Sequence, residues 1–225
     1  METKQGFILS YIKYNDTGAV VKILEKDTGL QSYFIKNIYL AKRKKKVYLS
    51  PLMGVEFSTS KPKNAGLASI SSMALSDFAK PIELNFINQA QMALLAELLL
   101  KIMPYEDSDT NLYHYLSAFC LNIESKNALI YYFYHIIKAM GYGFSFTEGL
   151  YFDVKNGQFD DVQHSLSIDQ HHSAQLRAIE TPHFLSLALN SSERRVLIDI
   201  LMNYCQIHIP DFTLPKSLDI FRDIF

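Results

Sequence analysis

No C-x-x-C pair, no H-E-x-x-H, no G-x-S-x-G and no G-x-x-x-x-G-K-S/T run occurs in the 225 residues. Those absences remove the local signatures of a thiolate zinc site, a zincin, an α/β-hydrolase and a phosphate-loop NTPase. Cysteine is scarce. Cys120 and Cys205 lie far apart in apolar, helix-like surroundings. Buried free thiols in a reducing cytosol fit them better than a disulfide. Long apolar runs are missing too. Met92–Met103 is interrupted by Glu97 and Lys101 and is too short to span a bilayer. Met1–Gln5 leads into a strand-like run without an apolar signal core. The expected location is therefore the cytoplasm. Histidine is absent from the front of the chain, where the first is His114.

What is present is unevenly charged. The formal net charge is −1, but residues 1–80 hold 13 Lys+Arg against 6 Asp+Glu, and residues 81–225 hold 9 against 17. A basic front joined to an acidic back suggests two domains with different partners, the front one meeting a polyanion. The plainer reading is that lysine-rich loops only aid solubility.

Residues 6–46 carry most of the information. Gly6–Tyr14, Ala19–Glu25 and Leu30–Lys36 are rich in β-branched and aromatic residues, the composition of strands. Asn15-Asp16-Thr17-Gly18 and Lys26-Asp27-Thr28-Gly29 separate them with turn chemistry. A basic run, Lys42-Arg43-Lys44-Lys45-Lys46, follows with no acid inside it. Val47–Pro51 and Gly54–Ser58 are expected to supply one or two further strands, and Leu67–Leu75 the last. Closing such a meander removes its exposed edges, so a five-stranded barrel of the oligonucleotide-binding (OB) type is the expected product.

From Leu84 the apolar period becomes helical. Ile87, Leu94, Leu95, Leu98 and Ile102 share a face, and the surrounding residues are apolar enough to predict a buried helix. Pro104 lies past its end, and Asp107-Ser108-Asp109 is a capping region before a second helix through Ile123. Asn127–Met140, His171–Ile179, Ser192–Cys205 and Ser217–Phe225 also read as helices, with Ser191-Ser192-Glu193 starting the one before last. The fold class is thus α+β: an OB-type barrel over residues 1–80, then an all-α helical domain over 81–225 with an irregular insertion at 144–168. The Asn156-Gly157 turn favours a small hairpin in that insertion.

The basic run can neutralise phosphates and release counterions. Lys13, Lys22 and Lys36 extend its track over the barrel, interleaved with Phe7, Tyr11, Tyr14, Tyr33, Phe34 and Tyr39. OB surfaces stack bases of single strands on aromatic rings, but alternation sends about half of these rings into the core. Tyr33 and Phe34 point to opposite faces, and Tyr33 is taken as the candidate stacking ring. No base-reading element is evident, so weak sequence preference is expected. The histidines make a poor chelate, because His171 and His172 point about 100° apart on a helix. Asp153, Asp160, Asp161 and Asp169 read as a solvated acidic loop rather than a two-metal nuclease site. No metal, no cofactor and no catalytic residue is expected, and the chain is not expected to be an enzyme.

The ordered pattern of these features resembles the RecO family. GFILSYIKYNDTGAVVKILEKDTGLQSYFIKNIYLAKRKKKVYLSPL carries the strand–turn–strand–turn–strand, basic loop and Leu49-Ser50-Pro51-Leu52 of its N-terminal domain. Met103-Pro104-Tyr105-Glu106, Asn111-Leu112-Tyr113-His114-Tyr115-Leu116, Ala139-Met140-Gly141-Tyr142 and Lys216-Ser217 continue the likeness to the C-terminus. The resemblance implies a mediator of DNA repair and homologous recombination that binds single- and double-stranded DNA, anneals complementary strands and loads recombinase. It implies two protein partners: RecR, and the acidic C-terminal tail of single-strand DNA-binding protein (SSB). It also implies a cytoplasmic, nucleoid-associated protein. Lys126, Lys138, Arg177, Arg194 and Arg195 are the candidate cations for the SSB tail. One departure stands out. Many members carry two C-x-x-C pairs that bind zinc, whereas residues 144–161 contain no cysteine. The rival readings are an RNA-binding OB protein and a metal-dependent hydrolase built on the back-half His and Asp residues.

Overall fold

The computed structural model describes residues 3–39, 48–60, 66–77, 79, 82–103 and 110–224. The basic run Lys42–Lys46 lies outside the described residues, as do Lys61, Lys63, Pro104 and the expected caps at 107–109.

Five strands form a closed barrel: β1 (Thr3–Lys13), β2 (Ala19–Glu25), β3 (Gly29–Ile35), β4 (Met53–Ser60) and β5 (Ser69–Leu75). The order around it is β1-β2-β3-β5-β4, with β4 returning to β1. All pairs are antiparallel except β3–β5, which is parallel through Phe34↔Ser69 and Ile35↔Ile70. Closure leaves no free sheet edge. A register shift in β1 between Ile8 and Ser10 supplies the bend that curling requires. Alternation then sends Ala19, Val21, Ile23, Tyr33, Ile35, Val55, Phe57, Ile70 and Met73 into one interior core. The expected strand at 47–51 is not formed in its described part. Ser50-Pro51 is a turn, with the Met53 amide donating to the Ser50 carbonyl (3.1 Å), because proline cannot donate to a ladder.

The change from strand to helix falls between Leu75 and Phe86, around the expected residue 80. Compactness, however, divides the chain after Leu121. Helices α1 (Phe86–Ile102) and α2 (Thr110–Leu121) belong with the barrel. The physical reason is that the outer face of β1 is apolar at one end. The Phe7 ring there lies 5.1 Å from that of Tyr113 on α2. Asn85 caps α1, its side chain accepting from the Asn88 amide (2.8 Å), and the helix is buried around most of its girth.

The second unit, Asn122–Phe225, holds α3 (Ala128–Ile137), a hairpin of β6 (Tyr151–Asp153) and β7 (Gln158–Asp160), α4 (Gln170–Arg177), α5 (Ser191–His208) and α6 (Ser217–Ile224). The hairpin turns at Gly157, whose φ of +66° suits glycine. Aromatic rings hold it. Phe144 contacts Tyr134, Phe152 and Tyr204 at 4.6, 4.5 and 4.7 Å between centroids, and Phe152 contacts Phe159 at 5.1 Å. The N-cap of α5 is Asn190 rather than a serine. It forms a reciprocal capping box with Glu193, which frees Ser191 and Ser192 to enter the first turn.

Candidate nucleic-acid interface

The outer face of β1–β2–β3 changes character along its length. Near Phe7 and Leu24 it is buried. In the middle the cross-strand row is Ser10, Lys22 and Ser32, all half-buried. At the far end the row is Ile12, Val20 and Phe34, continued by Ser69. Here the surface is both apolar and open: Ile12 is 69% exposed, Tyr14 71% and Leu67 46%. Tyr14 meets Phe34 edge-to-face at 5.6 Å, and Tyr14, Val20, Phe34 and Leu67 line a recess of about 310 Å³.

Cations frame this end. Lys13 pairs in register with Ala19, next to the Ile12 row. Its ammonium lies 5.9 Å from the Tyr39 ring centroid and 3.5 Å from Asp16. That ion pair is exposed on both sides and holds the lysine only weakly. Lys36 is exposed, two residues past Phe34 and on the same side of the chain by alternation. Lys22 lies one outward position from Val20. Lys22 and Lys36 thus share the outward parity of Phe34, whereas Lys13, paired with the inward Ala19, lies on the opposite parity at the end of β1.

Tyr33 does not join them. It is 5% exposed and belongs to the barrel core, edge-on to Phe57 at 5.3 Å. Its hydroxyl donates to the buried Glu25 carboxylate and accepts from Lys4 (3.0 Å), while Thr28 donates to Glu25 as well (2.7 Å). Burial, and then the bond to Glu25, push the Tyr33 hydroxyl above its ordinary pKa. Burial works against the Lys4 ammonium, but its bonds to Tyr33 and Glu25 outweigh that and raise it. Tyr33 is therefore withdrawn as a stacking ring, and Phe34 is the ring of the two that faces outward: the parity that points one outward points the other in. The sequence signal for Leu67 and Ile12 was only their parity, which is hard to use before the barrel register is known.

In the second unit the five candidate cations part company. Arg194 is 7% exposed, donates to the Leu189 carbonyl and Ser191, and burial lowers its pKa. It is a buried structural group, which corrects its assignment to a partner surface. Arg177 donates to the carbonyls of Thr147 (3.0 Å) and Gly149 (2.9 Å), and its guanidinium sits 3.9 Å from the Phe159 ring centroid. Lys138 pairs with Glu180 at 2.7 Å. Lys126 and Arg195 are exposed. The histidines disperse over separate carboxylates: His164 on Asp160, His171 on Glu193 and His172 on Asp169, at 3.1, 2.8 and 2.6 Å. Among the described residues no three His, Cys, Asp or Glu side chains gather into a set that could hold a metal ion. No helix among them is long and apolar enough to cross a membrane.

Comparison with known proteins agrees with this architecture. Residues 1–78 match the family model "Recombination protein O N terminal". Over 98% of its length the chain is 23% identical to the DNA repair protein RecO of Flavobacterium psychrophilum, covering 98% of that protein. It is 27% identical to the RecO of Bacteroides fragilis and 25% to that of Porphyromonas gingivalis, again over 98% of the chain and 97% and 98% of those proteins. With the closed barrel, its helical continuation and this end-to-end match together, the chain is similar to RecO proteins over nearly its whole length.

Proposed function

We propose that this protein is a non-enzymatic mediator of DNA repair and recombination, whose barrel holds DNA on the outer face of β1–β2–β3. The observation that carries the reading is that Lys22 and Lys36 share the outward face with Phe34 and the exposed Tyr14, with Lys13 at the adjoining end of β1. Cations supply affinity for the phosphate backbone, and rings tolerate any base. Among the described residues the outward row at the open end, Ile12–Val20–Phe34, has no polar side chain to read base edges, which suits binding without sequence preference. Such a surface accepts single strands and, through phosphates alone, duplex. Holding strands with their bases available is what annealing and recombinase loading require, and neither needs covalent chemistry.

Partners follow from the same reading. SSB, through its acidic tail, and RecR are proposed as the protein partners. In the second unit the exposed Lys126 and Arg195 are the remaining candidates to meet the tail's carboxylates.

The test is the salt dependence of binding to a labelled single strand, for the natural chain and for a variant with Lys42, Arg43, Lys44, Lys45 and Lys46 changed to Ala. Each lost phosphate contact flattens the log–log slope by about 0.7. A drop of about two units or more assigns the electrostatic track to the run and the adjoining lysines. An unchanged slope and affinity would make the run a solvated loop and remove it from the interface.

A further inference from the structure

We propose that the recess formed by Tyr14, Val20, Phe34 and Leu67 is a stacking subsite for one nucleobase of a single strand, and that Gly18 is the residue that positions Phe34 in it. The inference rests on the reading of the barrel as a DNA-binding surface and adds to it a place, an occupant and a supporting residue.

Three observations converge. First, the recess is apolar yet open. Tyr14 and Leu67, 71% and 46% exposed, line it with Phe34, and Ile12, 69% exposed, pairs with Val20 beside it. The barrel has its own filled interior, and among the described residues the outer face is covered at its Phe7 end, so this patch belongs to neither. Contiguous exposed apolar surface marks a contact site. Its volume, about 310 Å³, is at the low end of the roughly 300–1,000 Å³ range of ligand pockets. That suits one flat group better than a folded segment.

Second, the turn beneath it is built to hold the ring. The Asn15 side-chain oxygen accepts from the amides of Thr17 (3.0 Å) and Gly18 (2.6 Å), and the Tyr14 amide donates to the Gly18 carbonyl (3.0 Å). The turn is thereby closed twice. A Cβ at Gly18 would stand 2.6 Å from Cζ of Phe34 and 3.0 Å from Cε2. Only glycine lets the ring lie against the turn and present its other side outward. Tyr14, edge-on at 5.6 Å, closes one flank.

Third, the surroundings are cationic. Lys13 precedes Tyr14 in sequence, Lys36 lies two residues past Phe34, and Lys22 is one outward position from Val20. An apolar ring that shares its barrel face with Lys22 and Lys36 complements a base flanked by its own phosphates. A greasy protein segment would gain from the ring but not from the lysines.

The experiment compares an oligo(dT) of fixed length with the same oligonucleotide carrying abasic sites, by fluorescence anisotropy. The proteins are the natural chain, Phe34→Ala, Phe34→Tyr and Gly18→Ala, each checked by circular dichroism and thermal melting. The natural chain is expected to prefer oligo(dT). Phe34→Ala should lose roughly 5- to 150-fold in affinity for oligo(dT), the equivalent of one stacked base, with its salt slope unchanged and its preference over the abasic strand gone. Phe34→Tyr should keep the preference, and Gly18→Ala should weaken it although Phe34 is still present. Equal binding of both strands by the natural chain overturns the inference even if every variant misfolds. So does a Phe34→Ala protein that keeps both affinity and preference, or one in which only the oligomeric state changes. In each case a steep salt slope would leave the DNA-binding reading standing. If the natural chain binds neither strand, both fall together.

Discussion

At the scale of single residues, the buried polar groups separate structure from function. Tyr33→Phe removes the hydroxyl that donates to Glu25 and accepts from Lys4 inside the barrel. A buried carboxylate left short of a donor costs about 1–3 kcal/mol. The variant should melt at lower temperature while its affinity for single strands is unchanged, which chemical denaturation and anisotropy measure side by side. A loss of DNA affinity without loss of stability would return Tyr33 to the interface. The two cysteines give a second residue-scale prediction. Burial pushes both the Cys120 and the Cys205 thiols up to about 12. At pH 8 only on the order of one in ten thousand would be thiolate, the reactive form. Ellman's reagent should therefore leave the native protein unlabelled over minutes and label both positions once denaturant is added. Rapid labelling of the folded chain would mean one thiol is open to solvent.

At the scale of elements, the hairpin β6–β7 depends on groups brought from elsewhere in its unit. Arg177, at the end of α4, ties down the carbonyls of Thr147 and Gly149 and covers Phe159. Arg177→Ala should destabilise this unit by roughly 1–3 kcal/mol, and Arg177→Lys should restore little, since an ammonium lacks the planar fork. Equal melting temperatures for the three proteins would show the clamp to be idle. Acid should loosen the same unit in two steps. His135 on α3 is half-buried, and that burial lowers its pKa although its ring bonds the Ile179 carbonyl (3.1 Å). A depressed folded pKa means stability that is present above the unfolded value, about 6.5, and is lost as pH falls below it. Asp160 is held low by the Val162 amide and His164, and Glu193 by the Asn190 amide and His171. Their contribution persists above about pH 4 and goes as pH falls further. The melting temperature should already be lower at pH 5.5 than at 7.5, and His135→Gln should flatten that first step alone. These elements were unequally legible in the sequence. The Asn156-Gly157 turn announced the hairpin, because few residue pairs suit it so well. The ring cluster around Phe144 could not be read, since it joins residues from Tyr134 to Tyr204. The missing strand at Ser50-Pro51 was a local signal that the apolar neighbours outweighed.

At the scale of the whole molecule, the net charge of −1 hides the feature that matters for a polyanion. Residues 1–80 carry 13 Lys+Arg against 6 Asp+Glu, but the compact unit that ends at Leu121 carries 14 against 11, because the helical extension is acidic. The surplus therefore belongs to the barrel and its basic run rather than to the unit at large. Sequence order revealed that asymmetry directly, together with the OB-type strand pattern. It could not say which barrel face is free, because that depends on where α2 settles, and Phe7 gave no sign that Tyr113 would cover it. A charge-driven grip predicts steep salt sensitivity despite the near-neutral whole. With about five phosphates neutralised, affinity for a single strand should fall roughly 100-fold between 50 and 200 mM salt. The same grip is blind to sugar chemistry unless a donor or acceptor reaches the 2′-hydroxyl. The rows that face outward here are Ile12–Val20–Phe34 and Ser10–Lys22–Ser32. The second offers hydroxyls beside a lysine, and the first meets hydroxyls at Ser69 and at the Tyr14 phenol. If charge alone sets the grip, DNA and RNA strands of equal length and sequence should show the same salt slope, with RNA binding no tighter than DNA. A tenfold or greater preference for RNA at matched salt would mean that a 2′-hydroxyl is being read, and would replace the repair reading by an RNA-binding one.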